Sequence, residues 1–259
     1  MSPKAQHIVL SEKDLQTFNT NGYLVLRNFA QDEVLSAMHE EAKRQIATPS
    51  HPMELEAITG YPGAPNTTQE TGGKTVRRFL RAYQRHALWQ HWASNPTLVS
   101  YLKQLLGDEN IALSQAHHNC LMTKSPEYSS DTGWHQDIRY WSFANTYLVN
   151  MWLALGEENE NNGGLVVIPG SHDMVFERAQ FDDKLFFCDD IEPNKTLLTQ
   201  AKSIELCAGD VLFFHSKLLH RASRNHTDNT KLSLVFTYHN SHNSPLINSR
   251  SASIPHIPL

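Results

Sequence analysis

Cysteine is scarce in this chain of 259 residues: Cys120, Cys188 and Cys207 lie far apart and no CxxC spacing occurs. That scarcity excludes a zinc ribbon and a disulfide framework, and points to a reducing, intracellular compartment. Long apolar runs are also missing. No stretch approaches the roughly 18 residues a membrane-spanning helix needs, and the N-terminal MSPKAQHIVLSEKD holds no run of signal-peptide length. A cytoplasmic location, with no membrane partner, is expected. Basic charge is not in excess either: the net charge of −5 gives no electrostatic ground for nucleic-acid binding. Glycine forms no GxGxxG or P-loop pattern, and Gly163, Gly164 and Gly170, with Pro169, read as turn formers. Internal repeats and low-complexity tracts are absent.

Histidine, by contrast, is plentiful. Fifteen histidines are the first hint of metal chemistry. A hydrophobic share of 40% and a charged share of 19% are those of an ordinary soluble globular protein. The length suits one large β-rich domain with helical decoration as readily as two small ones.

Along the chain, Ser11 opens S-E-K-D, a variant of the capping box, with Leu15 and Phe18 on the following helical face and Gly22 at the C-terminus. Tyr23–Leu26 predicts a short buried strand, and Val34, Leu35, Met38, Ala42 and Ile46 recur at helical spacing. Residues 50–75, rich in Pro, Gly, Thr and Asn, predict a long loop or lid. A further helix is expected over Ala87–Leu106, closed by Gly107. From Ile111 onward, short apolar or alternating runs (NCLMT, TYLVNMWLAL, GGLVVIP, DVLFFH, LSLVFTYH) separated by turn signals argue for a double sheet or barrel. The tail, 241–259, reads as either an ordered arm or a frayed end.

In GWHQDIRYW, His135 and Asp137 are two apart. On a strand, residues i and i+2 share a face, so an imidazole and a carboxylate can meet at one metal. Two histidines and one carboxylate on one octahedral face leave three open positions, the pattern of non-haem iron(II) oxygenases. The third ligand must come from elsewhere, and GDVLFFHSKLLHRAS offers His215 and His220.

These blocks, with NGYLVL at the N-terminal end and NGGLVVIPGSH at 162–172, occur in an order that resembles the phytanoyl-CoA dioxygenase family of iron(II)/2-oxoglutarate-dependent oxygenases. The resemblance runs through nearly the whole chain. It implies a mainly β fold with flanking α: a double-stranded β-helix (jelly-roll) core with buttressing helices. It implies a single domain over 1–259, with 1–110 mostly helical support, 111–240 the core and 241–259 a tail. The implied metal ligands are His135, Asp137 and His220, with His215 a neighbouring strand residue. The implied cofactors are Fe(II), 2-oxoglutarate as cosubstrate, and O2.

In the family an arginine about eleven residues after the distal histidine receives the far carboxylate of 2-oxoglutarate. Here that position is Lys231, a point charge in place of a two-pronged fork. Arg221 and Arg224 lie near enough in sequence to compensate. A serine common two residues after the distal histidine is Ala222, with Ser223 adjacent. Trp152 matches a position that packs beside the cosubstrate, and Asn225 one that shapes a turn. Because Asp137 fills the position a halide would need, the resemblance implies hydroxylation of a C–H bond in a small, polar or anionic metabolite, with release of succinate and CO2.

For that substrate, TVRRFLRAYQRH carries Arg77, Arg78, Arg81 and Arg85, of which the last three would share a helical face. Arg139 and Tyr140, just past the metal-binding pair, are expected in the pocket, Gln136 on the opposite face, and one of His117 and His118 toward the pocket. A non-catalytic, metal-binding jelly roll acting as a ligand-binding or sensing module is the alternative, supported by the departures at Lys231 and Ala222.

Overall fold

The computed structural model describes residues 9–259. Most of the N-terminal stretch read for its lack of a leader therefore lies outside the described residues. Helix α1 (Glu12–Asn21) starts on Ser11, whose hydroxyl accepts from the Asp14 amide while Asp14 accepts back from the Ser11 amide. This is a capping box with aspartate in the usual glutamate place. Gly22 closes the helix at φ 77°, its amide donating to the Phe18 carbonyl. The left-handed residue turns the chain straight into β1 (Tyr23–Leu26). Helix α2 (Asp32–Ala47) follows, then β2 (Met53–Leu55), α3 (Glu56–Thr59), β3 (Val76–Leu80), α4 (Ala82–Arg85), α5 (Ala87–Ala93) and α6 (Pro96–Leu106). The remaining strands are β4 (Ile111–Lys124), β5 (Thr132–His135), β6 (Leu148–Ala154), β7 (Leu165–Val167), β8 (Lys202–Ser203), β9 (Val211–His215), β10 (His220–Ala222), β11 (Lys231–Asn240) and β12 (Ile257–Pro258), with α7 (Asn194–Leu198) before β8.

Two antiparallel sheets result. The larger runs β1-β9-β6-β11-β4-β3-β2, with β12 also paired to β4; the smaller runs β5-β10-β7-β8. Alternation along the central strands sorts side chains between two layers. Leu234, Phe236 and Tyr238 of β11, Val149, Met151 and Leu153 of β6, and Val211 and Phe213 of β9 pack in one core with Phe18, Trp89, Leu98 and Leu102 of the helices. Val235, Trp152, Leu212 and Phe214, of opposite parity, pack in a second core with Leu165, Val167 and Ala222 of the smaller sheet. The jelly-roll expectation holds. The polar residues of these strands, Asn150, Lys231, Ser233 and Thr237, fall on that same inter-sheet parity, and all are buried.

Several local expectations need correction. The helix expected over 87–106 is two helices. Proline lacks the amide the helical ladder needs, and Asn95 caps the second helix by accepting from the amides of Thr97 and Leu98. Residues 76–80 form a strand rather than an arginine-bearing helix, because they pair with β4 (Phe79 opposite Leu121) and with β2. Arg78, Arg81 and Arg85 therefore share no helical face. The 50–75 segment is not all loop, since β2 and α3 occupy its first part. Within the part expected to be mostly helical support, β1 falls at Tyr23–Leu26 as expected, and β2 and β3 are additional strands. The tail is an ordered arm, with a 3-10 turn over Arg250–Ala252 and Ile257 paired with Leu113. No helix among the described residues is long and apolar enough to cross a membrane.

A Cβ at Gly22 would stand 2.5 Å from Nδ1 of His172, whereas one at Gly107, at a similar φ of 66°, would meet nothing. Gly107→Ala is expected to cost about 1 kcal/mol for the left-handed backbone alone, and Gly22→Ala about 2 kcal/mol or more. Urea denaturation of both variants measures the difference.

Candidate metal centre

Strands β5 and β10 are neighbours in the smaller sheet, and their register sets His220 directly opposite His135. The two rings stand 4.2 Å apart, centroid to centroid. Each ring is oriented by its own backbone: Nδ1 of His135 donates to the Gly133 carbonyl at 2.8 Å, and Nδ1 of His220 to the Leu218 carbonyl at 2.9 Å. Both Nε2 atoms are left with free lone pairs, the arrangement that metal-binding imidazoles need. Burial, and then the nearby His220, push the pKa of His135 down to about 3, which keeps the ring neutral.

Asp137 is not on the strand, as expected from the HxD spacing, but opens a 3-10 turn over Asp137–Tyr140. The same-face geometry survives because Gln136 between the two is extended, at φ −118° and ψ 124°. Ligand atoms of His135, Asp137 and His220 all lie within 4.8 Å of one another. Two imidazoles and a carboxylate are a donor set that suits iron(II) and leaves positions open for other ligands.

The carboxylate is held in place from two sides. Asn150 donates to Oδ2 at 2.8 Å and is itself fixed by the Thr237 hydroxyl at 2.6 Å. His118 Nε2 lies 3.2 Å from Oδ1. Burial would lower the pKa of His118, but the Asp137 charge outweighs it and raises the value to about 9. Burial likewise opposes the charge on Asp137, and His118 and His220 overcome it, so its carboxyl stays well below the usual range. His215 is elsewhere. It ends β9, accepts the Lys217 amide on Nδ1 and packs against Tyr147 and His172.

A cavity of about 200 Å³ opens on this group. Met122, Lys124, Thr132, Trp152, Ala222 and Lys231 line it, together with Tyr61, Arg77, Arg78, His117, Tyr140, Trp141 and Arg250. Lys231 and Trp152 both line the cavity, with the ammonium 4.9 Å over the indole. The lysine is already engaged, however. Its Nζ donates to Glu158 Oε2 at 3.1 Å and to Ser233 Oγ at 2.9 Å. The Glu158 carboxylate also accepts from Trp152 Nε1 at 3.0 Å and from Ser233 Oγ at 2.7 Å. Lys124 Nζ donates to the carbonyls of Ser130, Ala222 and Ser223. Burial, then Arg77 and Lys231, push its pKa down to about 7.

Other expected residues point away. Ser223 Oγ donates to the Glu160 carbonyl, outside the cavity. Arg221 pairs with Glu160 and Arg224 with Asp131, so neither stands in for the missing arginine. Arg139 bonds to Gln136 and the Phe176 carbonyl, its guanidinium 3.6 Å over Phe181, and so braces the wall rather than lining the pocket. Arg81 is exposed at φ 57° and borders a separate depression beside Arg85. Arg78 does line the cavity, clamped by Glu54 at 3.0 and 2.6 Å. Gln136 is buried and donates to the Lys217 carbonyl, and Asn225 ties the turn after β10, both as expected. Sequence reasoning missed Glu158, Lys124, Asn150 and Arg250. A polar residue at inward parity in an apolar strand was the signal available for Asn150.

Residues 18–233 match the family model for phytanoyl-CoA dioxygenase (PhyH). The peroxisomal phytanoyl-CoA dioxygenase of Rattus norvegicus is 25% identical over 89% of this chain and 68% of its own length. The ectoine dioxygenase of Bordetella bronchiseptica is 22% identical over 91% of this chain and 77% of its own. Among solved structures, EctD from S. alaskensis with 2-oxoglutarate and 5-hydroxyectoine superposes with a TM-score of 0.72 at 21% identity, over 92% of this chain and 78% of that one. The epimerase SnoN, in complex with Fe3+, alpha ketoglutarate and nogalamycin RO, gives a TM-score of 0.72 at 17% identity, over 94% and 90%. With the family pattern matched across the jelly roll and the histidine–aspartate–histidine group at its centre, the chain belongs to the phytanoyl-CoA dioxygenase (PhyH) family.

Proposed function

We propose that this 2-oxoglutarate-dependent dioxygenase hydroxylates an unactivated C–H bond of a small anionic molecule, releasing succinate and CO2. The observation that carries this reading is the convergence of His135, Asp137 and His220 within 4.8 Å, with both imidazoles turned to offer Nε2. When bound, iron and 2-oxoglutarate supply the oxidising chemistry; the chain's own residues position and enclose it. His135, Asp137 and His220 would hold the metal, and the Asn150–Thr237 link holds the Asp137 carboxylate in one orientation. A carboxylate at position 137, rather than a small residue, favours hydroxylation over halogenation.

Trp152 and Lys231 support the cosubstrate reading, since they put an aromatic wall and a cation at one part of the cavity. An anionic substrate suits the same cavity. Arg250 borders it and makes no ion pair among the described residues, whereas Arg78 is matched by Glu54. An anion entering there would meet a guanidinium still free to form a charge-assisted pair. Tyr61, Tyr140 and Trp141 supply apolar surface that would exclude water from the reacting carbon.

Anaerobic addition of 2-oxoglutarate to the iron(II)-loaded protein is expected to give a visible metal-to-ligand charge-transfer band, and aerobic turnover to give iron-dependent succinate. Absence of both would sink the reading. His220→Ala should lose iron and the band, while His215→Ala should keep both; metal analysis after desalting checks this. Lys231→Met is expected to raise the 2-oxoglutarate concentration for half-maximal band intensity by about tenfold or more. An unchanged titration would place the far carboxylate elsewhere.

A further inference from the structure

The pairing of Lys231 with Glu158 has a consequence for cosubstrate binding. Both side chains are buried to within 2% of full enclosure and lie 3.1 Å apart. Lys231 lines the cavity; Glu158 stands behind it, not in the lining, and reaches the cavity only through Lys231 and Trp152. Of the three ammonium donors, one goes to Glu158 and one to Ser233, which leaves one for a ligand. The charge that would receive a dicarboxylate is cancelled at its source by a carboxylate with no access to water. The other nearby cations are held by the wall. All three donors of Lys124 are taken by backbone carbonyls, and Arg77 is tied to Ser130 and Thr132.

We propose that Glu158 is a positioning residue that sets cosubstrate specificity: by neutralising Lys231 it weakens the hold on the far carboxylate of 2-oxoglutarate and narrows the preference for that dicarboxylate over an equally long 2-oxo monoacid. This rests on the assignment of Lys231 to that carboxylate. In a low-dielectric wall, removing a charge a few ångströms from a binding group changes affinity strongly, and the sign follows the charge removed. Loss of the Glu158 charge therefore tightens dicarboxylate binding and leaves monoacid binding unchanged. A purely structural Glu158, tying the segment after β6 to β11, predicts the reverse, because loosening that wall weakens both ligands.

The test uses the full-length iron(II)-loaded protein under anaerobic conditions, titrated with 2-oxoglutarate and with 2-oxopentanoate, and read by the charge-transfer band. Glu158→Gln keeps the shape and removes the charge. Its Kd for 2-oxoglutarate is expected to fall by about tenfold, with 2-oxopentanoate within about twofold of the parent. Should Glu158→Gln fold poorly, the double variant Glu158→Leu/Lys231→Met removes both buried charges and is compared with Lys231→Met alone. The double variant is expected to bind 2-oxoglutarate more tightly than the single one, since the single leaves an unmatched carboxylate beside the ligand. A parent band with no gain in Glu158→Gln, an equal change for both ligands, or a double variant no tighter than Lys231→Met overturns the role of Glu158 alone. A missing band in the parent and every variant overturns the cosubstrate assignment and this inference together.

Discussion

The pairing of β5 with β10 is the contact on which the rest of this site depends. It is short, since β10 has three residues, yet it fixes His220 opposite His135. A slip of one residue would turn one imidazole to the far face of the sheet. The register is protected on both sides. Beyond β10, β7 pairs with Val167 opposite His220, and the Leu219 amide bonds to Ser171. Each ligand ring is further locked by a carbonyl two residues upstream, so the strand backbone chooses the tautomer as well as the position.

The larger sheet contributes differently. Its strands bury apolar residues on both faces, so polar side chains on the inner face can persist only where hydrogen bonds satisfy them. Asn150 bonds to both Thr237 and Asp137; Lys231, Ser233, Glu158 and Trp152 bond among themselves and leave one lysine donor over. These are the places where the chain accepts desolvation of polar groups, and both sets border the cavity. A buried ion pair is a weak source of stability. Its presence here is better explained by what lies in front of it than by the strength it adds to the fold.

Much of this was legible in the sequence, and the parts that were not share a cause. The HxD pair, the strand texture after Ile111 and the capping signals at Ser11 and Gly22 are local patterns, each governed by residues within one turn or one strand. The jelly roll and the choice of His220 came from the resemblance rather than from spacing. Failures arose where long-range pairing decided the outcome. Arg78, Arg81 and Arg85 have helical spacing, but β4 offers residues 76–80 a partner and they extend. Asn95–Pro96 was a visible stop signal inside a stretch taken as continuous. Glu158 sits in EENENNGG, which looks like a solvated turn, and only the fold brings it under Lys231. The Lys231 departure was noticed; its counter-charge was invisible because 73 residues separate the pair.

The cavity walls also divide labour in a way that bears on how such an enzyme diversifies. His135, His220, Trp152 and Lys231 stand on paired strands, as does Arg78 of β3, whereas Tyr61, Tyr140, Trp141 and Arg250 come from the segment after α3, the turn that also carries Asp137, and the tail arm. The segment after α3 and the turn after β5 add no residue to the two cores, whereas β3 buries Phe79 in the larger one and Ile257 of the arm packs against it. On the proposed reading, the residues that meet the substrate are separate from the strand pair that carries His135 and His220. Attempts to redirect the enzyme toward new molecules belong at the rim, and attempts to alter its cosubstrate economy belong in the sheet.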